Sequence, residues 1–197
     1  IVALSDDSGP ILSHVSTNID CFGSANGSID LSVAGNPLFT YNWIGPPPYV
    51  NPGTEDINGL DPGTYTVIVT DANGCVSVES IEITGPNGPI NVNSTTVDLT
   101  CYNNSSGEIA IDIIGGTPSY TTNWTGPNGF TSSDEDLIGL DSGQYILNII
   151  DANGCPLNGL SFFVSQPDSI QIDTNIIEPT CGLSDGEITI SVTGGTA

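Results

Sequence analysis

The sequence contains no lysine and no arginine, although it has 23 aspartate and glutamate residues among its 197 positions. With one histidine, its formal net charge at pH 7 is −23. Because nucleic acids and anionic membranes are bound through lysine and arginine, neither is an expected partner. Apart from pairs that involve His14 or a chain terminus, no salt bridge is available. The carboxylates are therefore expected to be solvated, hydrogen-bonded or shared with cations.

Long apolar runs and recognisable catalytic motifs are also missing. No apolar run approaches the roughly 18 residues that a membrane-spanning helix needs, so membrane insertion is not expected. The sequence has no phosphate-binding loop and no G-x-S-x-G motif, and no nucleophile motif accompanies its single histidine. We therefore expect that the protein is not an enzyme and has no cofactor, apart from calcium that is weakly bound.

What the sequence does contain is a repeat with a period of 80 residues. The segment Leu60–Cys75 returns as Leu140–Cys155 with the same alternation of apolar and polar residues. In each copy a period-two pattern begins at a tyrosine, Tyr65 or Tyr145, as in a half-buried strand. An Asn-Gly pair then predicts a tight turn. The repeat therefore predicts tandem β-modules.

The period divides the chain into modules. Residues 1–9 are expected to be the tail of a preceding repeat, residues 10–86 the first repeat, residues 87–166 the second, and residues 167–197 the truncated start of a third. About 80 residues suffice for one small sandwich. We predict an all-β fold of tandem immunoglobulin-like β-sandwiches of the Greek-key type, with short proline-containing linkers that make a semi-rigid rod.

The five cysteines follow the same period. Cys21, Cys101 and Cys181 are spaced by 80 residues, and so are Cys75 and Cys155. The economical interpretation is one disulfide within each module, Cys21–Cys75 and Cys101–Cys155, with the partner of Cys181 beyond the end of the chain. A metal site is the weaker alternative, because two thiols per module and one histidine are too few ligands.

The path of the first strand limits this pairing. If the first strand ran parallel to the last strand of its module, Cys21 and Cys75 would lie a strand length apart. A disulfide tolerates at most about 7 Å between Cα atoms. The predicted bond therefore requires either a first strand that turns back toward the final hairpin or a different topology.

Two short segments look like the tyrosine corner of Greek-key sandwiches. They contain Leu60, Gly63 and Tyr65 in the first module and Leu140, Gly143 and Tyr145 in the second. In such a corner the phenol hydroxyl donates a hydrogen bond to backbone a few residues upstream. We expect a structural role, with ligand stacking as the alternative.

Trp43 and Trp124 occupy equivalent positions on predicted strands. The simpler interpretation places both in the core, facing the opposing sheet. Alternatively, they form a platform on which a glycan stacks, because aromatic faces suit carbohydrate rings. Tyr49, beside the Pro46–Pro48 run, is a better-exposed candidate for such stacking, although it has no counterpart in the second module.

The two Asp-Ala-Asn-Gly turns resemble the first half of a calcium-binding loop. Their weak candidate ligands are Asp71 and Asn73 in one turn and Asp151 and Asn153 in the other. A cysteine follows each turn, where a complete loop needs further ligands that end in a glutamate. We expect a turn capped by its aspartate, with calcium that stiffens the modules as the alternative.

The combined pattern resembles the SprB-type repeat of Bacteroidota cell-surface proteins, including gliding adhesins and other giant secreted proteins. In the second module the resemblance runs through Cys101, Gly107–Ile109, Gly115–Tyr120, Trp124, Leu140–Tyr145 and Asp151–Cys155. The first module departs from the pattern at Asn36-Pro37, where the Gly-Thr-Pro segment is one residue shorter, and it also carries the triple proline.

This resemblance implies export, an extracellular or cell-surface location, one sandwich per repeat, and an adhesive or scaffold role without catalytic residues. Expected partners are neighbouring repeats, copies of the chain in a fibre, surface glycans or other surface proteins. In such bacteria Ser169 would also match a short O-glycosylation motif. The function predicted is a semi-rigid stalk or self-associating fibre; the alternative is a set of carbohydrate-binding accessory modules of a secreted enzyme.

Overall fold

The computed structural model describes residues 9–196, which are built almost entirely of β-strands and turns. The predicted tail at residues 1–9 therefore lies outside the described residues, except for Gly9. Within the described range no helix is long and apolar enough to cross a membrane. The fold is all-β, as predicted from the alternating strand patterns.

The first sandwich consists of two antiparallel three-stranded sheets. Its strands are β1 (Ile11–Thr17), β2 (Gly27–Ala34), β3 (Thr40–Ile44), β4 (Ile57–Leu60), β5 (Gly63–Thr70) and β6 (Val76–Ile83). One sheet has the order β1-β2-β4 and the other the order β3-β5-β6. This strand order is that of an immunoglobulin-like sandwich.

Both sheets of the first sandwich contribute to one apolar core. On β5 the side chains of Tyr65, Val67 and Val69 are buried in alternation with more exposed threonine and isoleucine, which is the period that the sequence predicts. Trp43 from β3 and Ile29 from β2 belong to the same buried cluster. The core therefore joins the two sheets face to face.

The second sandwich repeats this plan. Its strands are β7 (Asn91–Val97), β8 (Gly107–Ile114), β9 (Thr121–Thr125), β10 (Thr131–Ser132), β11 (Leu137–Leu140), β12 (Gly143–Ile150) and β13 (Pro156–Val164). The sheets have the orders β11-β8-β7 and β10-β9-β12-β13. The added strand β10 follows a 3₁₀ turn at Pro127–Gly129 and pairs with the outer edge of β9.

The last described strands are β14 (Gln171–Ile177) and β15 (Glu187–Thr193), which pair as an antiparallel two-stranded sheet. They correspond in order and register to β1 with β2 and to β7 with β8. Their isoleucine and valine side chains are exposed, whereas the equivalent positions on β2 and β8 include buried ones.

The described residues form two compact units. The first comprises residues 9–90 together with Gly115–Ser119 and Asp151–Cys155, and the second comprises Asn91–Ile114, Tyr120–Ile150 and residues 156–196. Two short segments from the second predicted repeat are thus part of the first compact unit. The predicted module boundaries, which follow the sequence period, remain a prediction.

The first strand runs parallel to the last strand of its own sandwich. Near the start of β1, the Ser77 hydroxyl on β6 donates a hydrogen bond to the carbonyl of Pro10. Past the end of β1, the Ile19 amide donates to the carbonyl of Thr84, at 2.9 Å. The start of β1 thus lies beside the start of β6, and the end of β1 lies beside the end of β6. The first strand therefore does not turn back toward the final hairpin.

This arrangement makes the predicted Cys21–Cys75 disulfide wrong. Cys21 follows the end of β1, whereas Cys75 precedes the start of β6, at the opposite end of the sandwich. Strands of seven or eight residues separate these ends by roughly 23 Å, which far exceeds what a disulfide spans. The predicted Cys101–Cys155 bond is also wrong, since Cys155 is bonded to Cys21.

Candidate functional site

A network of polar contacts surrounds the disulfide between Cys21 and Cys155. The two cysteines are 134 positions apart in the chain, and their Cα atoms are 5.6 Å apart. Cys21 belongs to the first predicted repeat and Cys155 to the second, yet both lie in the first compact unit. The disulfide therefore links two successive repeats instead of the two halves of one repeat.

The turn that presents Cys155 is fixed by its own aspartate. Asp151 Oδ1 accepts hydrogen bonds from the backbone amides of Asn153, at 3.0 Å, and Cys155, at 2.9 Å. The Asp151 amide also donates to the Cys155 carbonyl, and Gly154 has a φ of +84°, a conformation that favours glycine. The Asp-x-Asn-Gly sequence thereby orients the cysteine that follows it.

The same turn recurs at Asp71, where Oδ1 accepts from the amides of Asn73 and Cys75, both at 2.9 Å. Gly74 has a φ of +82°. Because the two turns share these hydrogen bonds although they present different cysteines, the turn geometry is set by local sequence. It does not depend on the disulfide at Cys155.

Thr117 receives the Cys155 turn on one side. Its backbone amide donates to Asp151 Oδ2 at 2.9 Å, and its carbonyl accepts from the Ala152 amide at 3.0 Å. The Thr117 hydroxyl accepts from Asn153 Nδ2 at 3.1 Å. A side chain at Gly116 would come within 2.9 Å of Asp151 Oδ2, so glycine allows this close approach.

The segment before Cys21 receives the turn on the other side. Asn153 Nδ2 donates to the carbonyl of Asp20 at 2.9 Å, in addition to its contact with Thr117. One amide group thus bridges a backbone of the first repeat and a side chain of the second. The disulfide and the Asn153 hydrogen bond hold the same two segments together.

The carboxyl of Asp151 is almost fully buried. Burial alone would raise its pKa, but hydrogen bonds from the amides of Thr117, Cys155, Asn153 and Gly154 outweigh this and lower the pKa below the usual aspartate value. The site thus stabilises the negative charge of Asp151 with neutral donors, as a chain without lysine and arginine requires.

The aspartates proposed as weak calcium ligands serve as turn caps. Asp71 and Asp151 each accept backbone hydrogen bonds on Oδ1, and Asn153 donates through its amide nitrogen. Within residues 9–196, no three histidine, cysteine, aspartate or glutamate side chains are placed together as a metal site would require. Calcium binding at these turns stays a prediction.

The tyrosine corners have the contact that their motif predicts. The Tyr65 hydroxyl donates to the Asp61 carbonyl at 3.0 Å, and the Tyr145 hydroxyl donates to the Asp141 carbonyl at the same distance. Both phenol rings are buried. Burial and the nearby aspartate raise the pKa of each tyrosine, and the backbone hydrogen bond only partly offsets this. These residues are part of the scaffold.

The proposal that Trp43 and Trp124 stack on glycans is wrong. Their exposed fractions are 2% and 0%, because their strands direct both indoles into the cores. Each indole nitrogen donates to a backbone carbonyl, that of Thr54 or Asp134, at 3.0 Å. The faces that a sugar would need are covered by protein.

Tyr49 is also engaged by the scaffold, since its ring packs edge-on against Tyr65 with centroids 5.2 Å apart. Phe130 makes the equivalent contact with Tyr145, at 5.3 Å. Phe130 is therefore the counterpart of Tyr49 in the second repeat. The repeat pattern does not reveal this equivalence, because Phe130 follows a 3₁₀ turn and Tyr49 follows three prolines. The two aromatic residues buttress the tyrosine corners.

Ser169, the predicted O-glycosylation residue, lies just before β14 and is half-buried. Its hydroxyl accepts a hydrogen bond from Gln171 Nε2 at 2.6 Å. It also lines an open cavity together with Cys101. Glycosylation at this residue stays a prediction.

The family comparison finds the SprB repeat at two segments of the chain, residues 13–47 and 93–129. These segments cover most of β1 and all of β2 and β3 in the first repeat, and most of β7 and all of β8 and β9 in the second. The resemblance noted from the sequence is therefore confirmed for both repeats. A comparison with curated proteins finds no similar sequence.

Proposed function

Because two segments match the SprB repeat, a family associated with cell-surface proteins, we propose that this chain is a structural repeat region of an extracellular surface protein. The repeats form a semi-rigid stalk or a self-associating fibre. The observation that supports this most directly is the Cys21–Cys155 disulfide, which joins successive repeats. A covalent bond between repeats suits a chain that transmits load outside the cell, where disulfides persist.

A scaffold role is also supported by how the chain uses its distinctive residues. The repeated tryptophans and corner tyrosines are buried in the two cores, and the Asp151–Cys155 turn belongs to the disulfide site. These are the residues that define the pattern of the repeat. Their structural roles account for their recurrence in each repeat, so no ligand is needed to explain it.

The acidic surface constrains how such chains associate. At a net charge of −23, lateral contact between copies brings like charges together. A fibre therefore needs cations, glycans or neutral strips of serine, threonine and asparagine at its contacts. A single-chain stalk needs none of these, because its repeats already follow one another along the chain.

The test is labelling of intact producing cells with an antibody against residues 9–196, followed by electron microscopy of the native assembly. Surface label on thin threads supports a stalk, and surface label on a helically ordered filament several chains thick supports a fibre. Label that appears only after the cells are permeabilised would contradict the proposal. An antibody against a cytoplasmic protein controls for leakage.

A further inference from the structure

We propose that the cavity beside Cys101 is a docking site for the Asp-x-Asn-Gly-Cys turn of the repeat that residues 167–196 begin. In the docked state Cys101 and the cysteine of that turn form a disulfide. Each repeat would then be bonded to the next one, and the Cys21–Cys155 bond would be one member of a series. This inference concerns covalent structure and does not depend on the proposed surface role.

The cavity has a volume of about 520 Å³ and lies wholly within the second compact unit. Its lining includes Cys101, Tyr102, Ser169 and Ile170. The Gly-Gly-Thr segment at residues 194–196 completes it. The Cys101 thiol is exposed.

The backbone around this cavity repeats that of the Cys21–Cys155 site. There Gly116 donates to the carbonyl of Gly88 at 2.9 Å, and here Gly195 donates to the carbonyl of Asp168 at the same distance. The two Gly-Gly pairs all have positive φ, between +58° and +80°. Thr196 is thus placed after its glycines as Thr117 is.

At the Cys21 site this space is filled. The turn at Asp151–Cys155 lies between the Asp20–Cys21 segment and Thr117, bonded to both. At the Cys101 site the Thr100–Cys101 segment and Thr196 are the corresponding walls, and the space between them is an open cavity. The occupied site therefore identifies the occupant of the open one.

The occupant is a turn from the same polypeptide and not from a second copy. In the filled site, Thr117 and the turn that it receives belong to the same predicted repeat, so the fold of that repeat positions the turn. Thr196 lies in the repeat that starts at residue 167. By analogy, the strands of that same repeat would place its own Asp-x-Asn-Gly-Cys turn against Thr196.

The cross-linking step is an oxidation. The Cys101 thiol and the turn thiol each lose a proton, their sulfur atoms form one bond, and two electrons leave the pair. The acceptor is the disulfide of a protein thiol–disulfide oxidoreductase, which is reduced to a dithiol. A docked turn would favour this pairing by holding the two sulfur atoms together.

The first test is disulfide mapping of the native protein. Trypsin is useless for a chain without lysine or arginine, but cleavage before aspartate separates the five cysteines into residues 20–29, 71–97, 98–111, 151–167 and 173–184. After free thiols are alkylated, we expect peptide 98–111 bonded to a peptide that carries an Asp-x-Asn-Gly-Cys turn and is neither 71–97 nor 151–167. Alkylated Cys101, or a bond to any other sequence, would overturn the proposal.

Gel electrophoresis without reductant then identifies the source of the turn. A bond within one polypeptide leaves the mobility of a single chain, whereas a ladder of multiples would show cross-links between copies and overturn the assignment. The internal reference is peptide 20–29 bonded to peptide 151–167, the pair already present in the structure. Surface labelling plays no part in this experiment, so its failure and that of the proposed function are distinguishable.

A second test completes the third repeat by adding a copy of residues 118–166 after Thr196. In this extended chain, Cys101→Ser should leave the added turn cysteine reactive toward iodoacetamide. Cys181→Ser, which also removes one exposed thiol, should leave it protected. Equal reactivity in the two variants, or the reverse order, would contradict the proposal.

Discussion

Asn153 Nδ2 lies 2.9 Å from the carbonyl oxygen of Asp20, 133 positions earlier in the chain. The same amide nitrogen is 3.1 Å from the Thr117 hydroxyl. Next to this bridge, Cys21 and Cys155 are covalently bonded. Asn153, which has a counterpart at Asn73 in the other turn, therefore also connects successive repeats, and the effect of this connection on stability can be measured.

Cys155→Ser should lower stability, because it removes the bond that joins segments 134 positions apart. Loss of a native disulfide typically costs about 2–5 kcal/mol. Calorimetry under non-reducing conditions should show a clearly lower Tm for the transition of the first compact unit. Cys181→Ser changes an exposed cysteine near β15 and should leave that transition in place. Equal Tm values for Cys155→Ser and the parent chain would contradict the structural role of the bond.

Asn153→Ala should cost about 1–2 kcal/mol, since the side chain makes two hydrogen bonds across the site. Asn73→Ala is the matched control, because Asn73 occupies the same position in the other turn and its backbone amide makes the same bond to the turn aspartate. Asn153→Ala should also slow re-formation of the Cys21–Cys155 bond after reduction, as followed by thiol titration. The hypothesis fails if both alanine variants reoxidise at the parental rate.

The sandwich fold follows from local sequence, whereas the cysteine pairing does not. The alternation from Tyr65 to Val69 and the Asn-Gly turns predict strands and hairpins without knowledge of tertiary structure. The 80-residue period is compatible with either Cys21–Cys75 or Cys21–Cys155, because both partners occupy the same place in their repeats. Only the parallel course of β1 and β6 decides between them.

The contacts around Thr117 could not be predicted from the sequence either, because they too depend on the tertiary structure. Thr117 lies in a Gly-Gly-Thr segment that reads as an ordinary break between β8 and β9. Its use as a receptor for the Asp151 turn depends on where β8 and β12 end in space. The burial of Trp43 and Trp124 could be predicted from the sequence, since alternation within their strands favours the core.

The stability of the first compact unit should fall in acid. The folded pKa of Asp151 is below that of an unfolded aspartate, so the unfolded state binds more protons as the pH decreases. The contribution of Asp151 is fully present above the unfolded value of about 4 and is lost as the pH falls through the folded pKa. Thermal melts between pH 6 and pH 2.5 should show this loss.

Asp151→Asn isolates this effect, because it keeps an oxygen for the Asn153 and Cys155 amides but removes the ionisable group. The variant should be less stable than the parent at pH 6 and should lose less stability toward pH 2.5. Asp173→Asn, on the exposed strand β14, removes one charge elsewhere and should keep the parental pH profile. A profile for Asp151→Asn as steep as that of the parent would exclude Asp151 as a source of the acid sensitivity.

Tyr65→Phe and Tyr145→Phe should each destabilise their sandwich by about 1 kcal/mol. Each variant keeps the buried ring and removes the hydroxyl that donates to the carbonyl of Asp61 or Asp141. Tyr102→Phe is the matched control, because Tyr102 is 54% exposed. Since the corners are equivalent, the two losses measured by urea unfolding should agree within a few tenths of a kcal/mol if the hydroxyl serves the fold alone. A stability cost for Tyr102→Phe as large as that at the corners would show that the measured effect does not come from the corner hydrogen bond.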